Sequence, residues 1–174
     1  DKKLLKRGMW MHFLGVSTQR VGLGLSLLQR ALRKHTKATD IQLSFDSGSP
    51  VDAMLNGYEA ITGFDLSKDR WTFHQHPTRL TSLRGNRERL SSLGLPKKMQ
   101  GENRHIAATS LGAHLTIDDL ATDQFPGMTP EATRHLQMVL LIHHNTQAYI
   151  EAFRTAYRGL GKQDSLDLPV EVQW

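Results

Sequence analysis

The residue most suited to chemistry is Asp46, which stands in the run Asp46-Ser47-Gly48-Ser49-Pro50. The residues before it, Ile41 to Phe45, alternate between apolar and polar side chains, which is typical of a strand. Side chains at the carboxyl ends of parallel strands form the rim where α/β folds bind ligands. Asp46 is therefore the first candidate for a catalytic residue. The alternative is that it caps a helix beginning near Ser49-Pro50.

Two elements upstream would place Asp46 on such a rim. The apolar segment 9–16 predicts a parallel strand that is buried on both faces. A helix is predicted over 19–34, because apolar side chains recur there at a spacing of three to four. Since βαβ crossovers join parallel strands, we expect 9–16 and 41–46 to be neighbouring parallel strands with this helix on one face.

The rest of the chain has weaker patterns until its C-terminal part. The elements predicted in the centre are a short helix at 51–58, a small hairpin or extended excursion of 60–62 and 70–74, and a short helix near 86–93 followed by a basic loop. Residues 105–111 fit either a strand or a helix. Thr129-Pro130-Glu131 supplies a cap, a first-turn proline and a first-turn acid. A helical pattern, as one helix or two, then runs from Ala132 to about Arg158, and an extended tail is predicted at 164–174.

Composition limits the class of protein. With 174 residues, 39% of them apolar, the chain suffices for one domain or one and a half. It has no apolar run long enough to span a bilayer and no signal peptide, so we expect a cytoplasmic protein without a membrane partner. It has no cysteine, which excludes disulfides, thiol nucleophiles and thiolate metal sites. Because it opens with Asp1-Lys2-Lys3, we expect a piece of a longer protein.

Charge is distributed unevenly along the chain. Residues 1–37 carry a net charge of +8, residues 38–78 carry −4, residues 79–122 carry +3 and residues 123–174 carry −2. Basic blocks of this kind suit a polyanion whose backbone is held electrostatically. The candidates for phosphate contacts are Arg79, Arg84, Arg87, Arg89, Lys97 and Lys98. The alternative, with about even odds for each block, is a solvated face.

The chain also resembles a known family at three places. His12–Ser17, followed by a helix and the motif Ser44-Phe45-Asp46-Ser47, is similar to the last two strands of the tRNA-guanine transglycosylase barrel. Those strands end in a Gly-Val-Gly type turn and a Phe-Asp-Cys or Phe-Asp-Ser motif. Leu140–Asn145 is similar to the Leu-x-x-His-Asn element of the family's C-terminal helix. Tyr58–Thr62 resembles the family's short Tyr-x-x-Thr excursion.

The resemblance implies a fold. The class would be α/β, with the C-terminal portion of a (β/α)8 TIM-type barrel and a helical C-terminal extension. Residues 1–62 would be the barrel part, 63–127 a basic insertion, and 128–174 the C-terminal helix and tail. A complete barrel needs about 250 residues. The other strands, the general acid and the base-reading residues would therefore come from a missing N-terminal part or from a second subunit.

The resemblance also implies a mechanism. In this family an aspartate on the last strand attacks C1′ of a guanosine, expels guanine, and stays bound to the sugar until a 7-deazaguanine base attacks the same carbon. That aspartate corresponds to Asp46. The base pocket would include Leu14, Gly15, Ser47 and Gly48, with Gly15 letting the ring approach the backbone.

The chain departs from the family pattern at the metal site. The family holds a structural zinc with three cysteines and the histidine of the His-Asn element, and only His144 has a counterpart here. Neither zinc nor another cofactor is therefore expected, and His144 is interpreted as a hydrogen-bonded helix histidine. His74, His76 and His105 could in principle rebuild a site with it, but they are interpreted as surface histidines.

The substrate is a nucleic acid in every catalytic interpretation. The lack of cysteine and the basic insertion favour the branch found in phages and genomic islands, which places 7-deazaguanine bases in DNA and not in tRNA. The predicted function is therefore exchange of guanine for a 7-deazaguanine, with DNA favoured over tRNA. The alternatives are a non-catalytic nucleic-acid-binding or partner subunit on a partial barrel, and a structural fragment.

Overall fold

The computed structural model describes residues 8–15, 19–37, 40–46, 48–66, 71–93, 95 and 104–160. Their contacts form two compact units, one from the described parts of 1–49 and 155–174 and the other from 50–154. Ser47, Lys97, Lys98 and the tail predicted at 164–174 lie outside the described residues. The division into segments 1–62, 63–127 and 128–174 stays a prediction.

The N-terminal part of the first unit consists of a strand, a helix and a second strand. Strand β1 (Trp10–Phe13) leads through helix α1 (Gln19–Thr36) to strand β2 (Gln42–Phe45). The strands are parallel neighbours, with Trp10 opposite Gln42 and Phe13 opposite Phe45. The predicted order and direction of these three elements are confirmed.

Helix α1 is joined to β2 and the residue before it by side-chain bonds. The Leu43 N–H donates to Gln29 Oε1 at 2.6 Å, and Arg33 Nε donates to the Ile41 carbonyl at 2.7 Å. Within the described residues the strands' other face is open, since 67% of Trp10 and 79% of Leu14 is exposed. The prediction that β1 is buried on both faces is therefore wrong for this unit, because one helix covers only one side of a sheet.

The second unit holds a three-stranded antiparallel sheet. Helix α2 (Ser49–Gly57) precedes strands β3 (Glu59–Leu66), β4 (Trp71–Pro77) and β5 (Arg104–Ile106), which lie in the order β4-β3-β5. The predicted short helix and hairpin are confirmed, and the segment left open at 105–111 begins as a strand.

Of the short helix predicted near 86–93, only a 3₁₀ turn at Leu90–Ser92 is present. This part of the chain has two 3₁₀ turns, at Thr81–Leu83 and Leu90–Ser92. The Leu90 N–H donates to the Leu115 carbonyl at 3.0 Å, and the Ser91 N–H donates to the Gly112 carbonyl at 3.1 Å. Because these donors are used by distant backbone, they cannot build a helical ladder.

Helices α3 (Ile117–Ala121) and α4 (Pro130–Leu160) complete the described chain. The Ala132 N–H donates to Thr129 Oγ1 at 3.1 Å, so the predicted cap is confirmed, and α4 is a single helix. The cores of the second unit are made by Met54, Ala60, Ile61, Leu90, Ala107, Leu115, Ile117, Leu120, Leu141, Ala148 and Tyr149. Burial of these side chains is the main force that holds the unit together.

The described residues have the predicted class, mixed α/β with a long C-terminal helix. Their strands form one two-stranded and one three-stranded sheet, and no closed barrel is present among them. None of the helices in the described ranges combines the length and the apolar character needed to cross a membrane.

Candidate functional site

Asp46 lies one residue beyond the end of β2 and is exposed. Its Oδ1 accepts a hydrogen bond from the Gly15 N–H at 2.6 Å, and its own N–H donates to the Phe13 carbonyl at 3.3 Å. Gly15 has φ +67°, a conformation that favours glycine. The carboxyl ends of the two parallel strands therefore meet at this carboxylate.

The donor to Asp46 bears on the two interpretations of this residue. A helix cap would take its hydrogen bonds from the helix that follows, whereas this bond comes from Gly15, two residues beyond the end of β1. The same edge holds Leu14 and Gly15, two of the residues predicted for the base pocket. Gly48, two residues after Asp46, is exposed, and Ser47 lies outside the described residues.

Three side chains beyond those predicted lie on the open face of β1 and β2. Ser44 Oγ accepts from Trp10 Nε1–H at 2.8 Å and lies 2.8 Å from His12 Nδ1, to which its hydroxyl can donate. The Trp10 and His12 ring centroids are 6.0 Å apart. Because side chains alternate along a strand, this face leads directly to Leu14 and Asp46. The alternation of the sequence was the signal that could have revealed it.

The predicted phosphate contacts fall into three groups. Arg79 and Arg84 line one cleft in the second unit, with a volume of about 530 Å³. Arg87 and Arg89 are exposed but are not among the residues that line this cleft, and Lys97 and Lys98 lie outside the described residues. A third arginine of the cleft, Arg134, comes from the second turn of α4 and was not predicted.

His144, at the position of the family's zinc ligand, is fully buried. Its Nε2 lies 2.9 Å from the Ile61 carbonyl and its Nδ1 lies 2.8 Å from Thr109 Oγ1. A carbonyl can only accept, so Nε2 carries the proton and Nδ1 accepts from the threonine hydroxyl. Both nitrogens are therefore used, and the surroundings of His144 do not fit a zinc site.

The other histidines considered for a metal lie on the sheet of the second unit. His74 and His76 are on β4, and His105 is on β5, where its ring stacks on Phe64 with the centroids 5.3 Å apart. The described ranges contain no group of three His, Asp or Glu side chains that could hold a metal ion.

Comparison of the chain with protein-family models, curated proteins and solved structures gave no match. What the candidate residues do must therefore follow from their positions and their chemistry.

The state of His144 predicts a pH dependence of stability. Burial lowers the pKa of this imidazole from its ordinary value of 6.5, and the hydrogen bond to Ile61 opposes that shift. The unfolded chain then binds the proton more readily than the folded one. The contribution of neutral His144 to the free energy of unfolding is complete above pH 6.5. It decreases as the pH drops below 6.5, by at most about 1.4 kcal/mol per pH unit.

Replacing His144 with Gln should therefore flatten the slope of unfolding free energy against pH on the acid side of neutrality. His143→Gln changes the exposed neighbouring histidine and is the matched control. Urea unfolding at several pH values measures both slopes. An unchanged slope in His144→Gln would show that another group causes any acid sensitivity.

Proposed function

We propose that this chain is part of an enzyme that exchanges guanine for a 7-deazaguanine base in nucleic acid, with Asp46 as the nucleophile. The observation that carries the proposal is the position of Asp46. It stands beyond β2, exposed, and its carboxylate is hydrogen-bonded to Gly15 at the end of the parallel neighbour β1. Ligands of parallel α/β folds bind at this edge.

The proposed reaction has two displacements at C1′ of a guanosine. An oxygen of Asp46 bonds to C1′ as the C1′–N9 bond breaks, and guanine leaves with that electron pair and takes up a proton. The incoming base then bonds to C1′ through N9, loses its N9 proton, and releases the carboxylate. Because each displacement inverts the carbon, the two together retain its configuration.

The residues around Asp46 have separate roles in this proposal. The Gly15 N–H fixes one carboxylate oxygen and leaves the other to attack. Leu14, Gly15, Ser47 and Gly48 border the base. The open face with Trp10, His12 and Ser44 would face the substrate, since it lies opposite the helix that covers the strands.

The proposed architecture is a partial TIM-type barrel, with β1 and β2 as its last two strands. Further strands, from additional chain or from a second subunit, would supply the acid that protonates guanine and the residues that read the base. The proposed location is the cytoplasm, and DNA is favoured over tRNA as the polymer.

A second candidate is a nucleic-acid-binding subunit that performs no exchange. The arginine cleft of the second unit favours it, because guanidinium groups suit phosphate contacts whether or not Asp46 reacts.

Incorporation of a labelled base tests both candidates. The complete protein is incubated with labelled guanine or a labelled 7-deazaguanine, and with DNA or tRNA in separate reactions. We expect label in DNA. Label in tRNA alone would overturn the preference for DNA, and label in neither polymer, with DNA still retained on the protein, would favour the binding subunit.

A further inference from the structure

We propose that the arginine cleft of the second unit binds a phosphate group carried by a nucleotide. The residues on which this rests are Tyr58, Arg79, Arg84, Asp123, Arg134 and Gln137, all of which line the cleft. The proposal does not depend on catalysis at Asp46, so either can fail without the other.

The charge of the cleft is positive. Three guanidinium groups line it against one carboxylate, that of Asp123. Arg84 Nη2 is paired with Asp123 Oδ1 at 2.5 Å. Among the described residues, Arg79 and Arg134 have no carboxylate within ion-pair distance. Two positive charges are therefore left to attract an anion.

Arg79 is held in place by an unusual backbone conformation. Tyr58 has φ +51°, which is rare for a residue with a side chain. Its N–H donates to the Met54 carbonyl at 2.8 Å, and its carbonyl accepts from the Thr78 N–H at 3.0 Å and from Thr78 Oγ1 at 2.5 Å. These bonds hold the Tyr58 ring under the Arg79 guanidinium, 4.2 Å from the ring centroid. Residues held in such conformations cluster at binding sites.

Arg84 and Asp123 form a pair that a ligand can open. The Asp123 side chain is 70% exposed and that of Arg84 is 44% exposed, and exposed ion pairs stabilise little. A phosphate is a stronger partner for a guanidinium, since it offers oxygens that can bind both arms of the fork. Asp123 therefore competes with the ligand for Arg84.

Helix α4 supplies the third arginine and a rigid base. Arg134 follows the capped first turn, where the positive end of the helix dipole lies. On the next turn, Gln137 Nε2 donates to the Asp119 carbonyl at 3.1 Å and to the Thr122 carbonyl at 2.8 Å. These bonds tie the end of α3 to α4. Arg134 is thereby carried by a helix whose position is fixed before an anion binds.

The size of the cleft indicates the class of ligand. A volume of about 530 Å³ exceeds what a bare phosphate needs and lies in the range of small-molecule sites. Arginine forks select the phosphate, and the Tyr58 ring and the remaining space suit the nucleoside attached to it. The phosphate can belong to a free nucleotide or to a polynucleotide, and the experiment separates these sources.

Binding by the protein is measured with four probes: AMP, inorganic phosphate, and a short single-stranded oligothymidylate in two forms, with and without a 5′-phosphate. Arg79→Gln and Arg134→Gln should each weaken binding by about tenfold, because each removes a charge-assisted contact. Arg87→Gln, an exposed arginine outside the lining, should change AMP affinity by less than about twofold. Asp123→Asn should strengthen binding, whereas Asp40→Asn, the same change at an exposed site in the first unit, should not.

The probes identify the source of the phosphate. AMP binding that depends on Arg134 assigns the cleft to free nucleotides. Oligothymidylate binding that depends on Arg134, without AMP binding, assigns it to the polymer, and its salt slope should fall by about one unit per lost arginine. Equal affinities of Arg134→Gln and Arg87→Gln for every probe, or no binding of any probe, would overturn the site. None of these probes reports base exchange, so the site is judged separately from catalysis at Asp46.

Discussion

Asp46→Asn should abolish base exchange in the complete protein while leaving the first unit folded. The amide has the shape of the carboxylate, and its oxygen can still accept the bond from the Gly15 N–H. It cannot displace guanine from C1′, because a neutral amide oxygen is a poor nucleophile. Exchange should fall by at least about three orders of magnitude, the scale on which removal of a covalent nucleophile acts.

Two measurements test this prediction, one of the exchange rate and one of the covalent intermediate. Labelled guanine exchange gives the rate, and denaturing electrophoresis shows whether the wild type holds a covalent adduct with the nucleic acid that the Asn variant lacks. Asp40→Asn is the matched control, since it removes the same charge from an exposed aspartate just before β2.

A helix cap at Asp46 would give a different pattern. Asp46→Ala would then cost about 1 kcal/mol of stability, and neither variant would affect exchange beyond that loss. Exchange that survives in Asp46→Asn would remove Asp46 from the mechanism.

Asn145→Ala should lower the free energy of unfolding of the second unit by about 3 kcal/mol. Asn145 is fully buried and makes two hydrogen bonds to β3: its Oδ1 accepts from the Ile61 N–H at 2.8 Å, and its Nδ2 donates to the Glu59 carbonyl at 2.9 Å. Alanine would leave both backbone groups without their partner. A buried polar group without a hydrogen bond costs about 1–3 kcal/mol.

These side-chain bonds lie beside an irregularity in the sheet. The pairing of β3 with β4 shifts register between Ile61 and Gly63. The Ile61 N–H donates to Asn145, and the Ile61 carbonyl accepts from His144, its neighbour on α4. His144 and Asn145 therefore bind α4 to β3 at the register shift. His144, at the position of the family's zinc ligand, serves here as a hydrogen-bonding residue.

His143→Ala is the matched control, because His143 precedes this pair on the same helix but is exposed. It should change stability by no more than about 0.5 kcal/mol. Urea unfolding followed by circular dichroism compares the variants. Equal midpoints for Asn145→Ala and His143→Ala would show that the bonds to β3 do not hold the unit together.

The sequence alone determined those elements whose signals are local. The strands and helix of the first unit, the proline-started α2, and α4 with its Thr129 cap all follow from periodicity and capping chemistry. Asp46 could be placed at a strand end for the same reason, since a period-two segment stops immediately before it.

Only the tertiary structure decided how distant residues combine. Residues 86–93 lack an α-helix because the N–H groups of Leu90 and Ser91 bond to backbone more than twenty positions away, and no local pattern encodes that. Arg134 joins Arg79 and Arg84 because the start of α4 lies beside the turn that follows β4, although some fifty residues separate them in sequence. The open face of β1 depends on which elements cover it. Capping and periodicity act within a few residues, whereas a binding site depends on side chains that folding alone brings within hydrogen-bond distance.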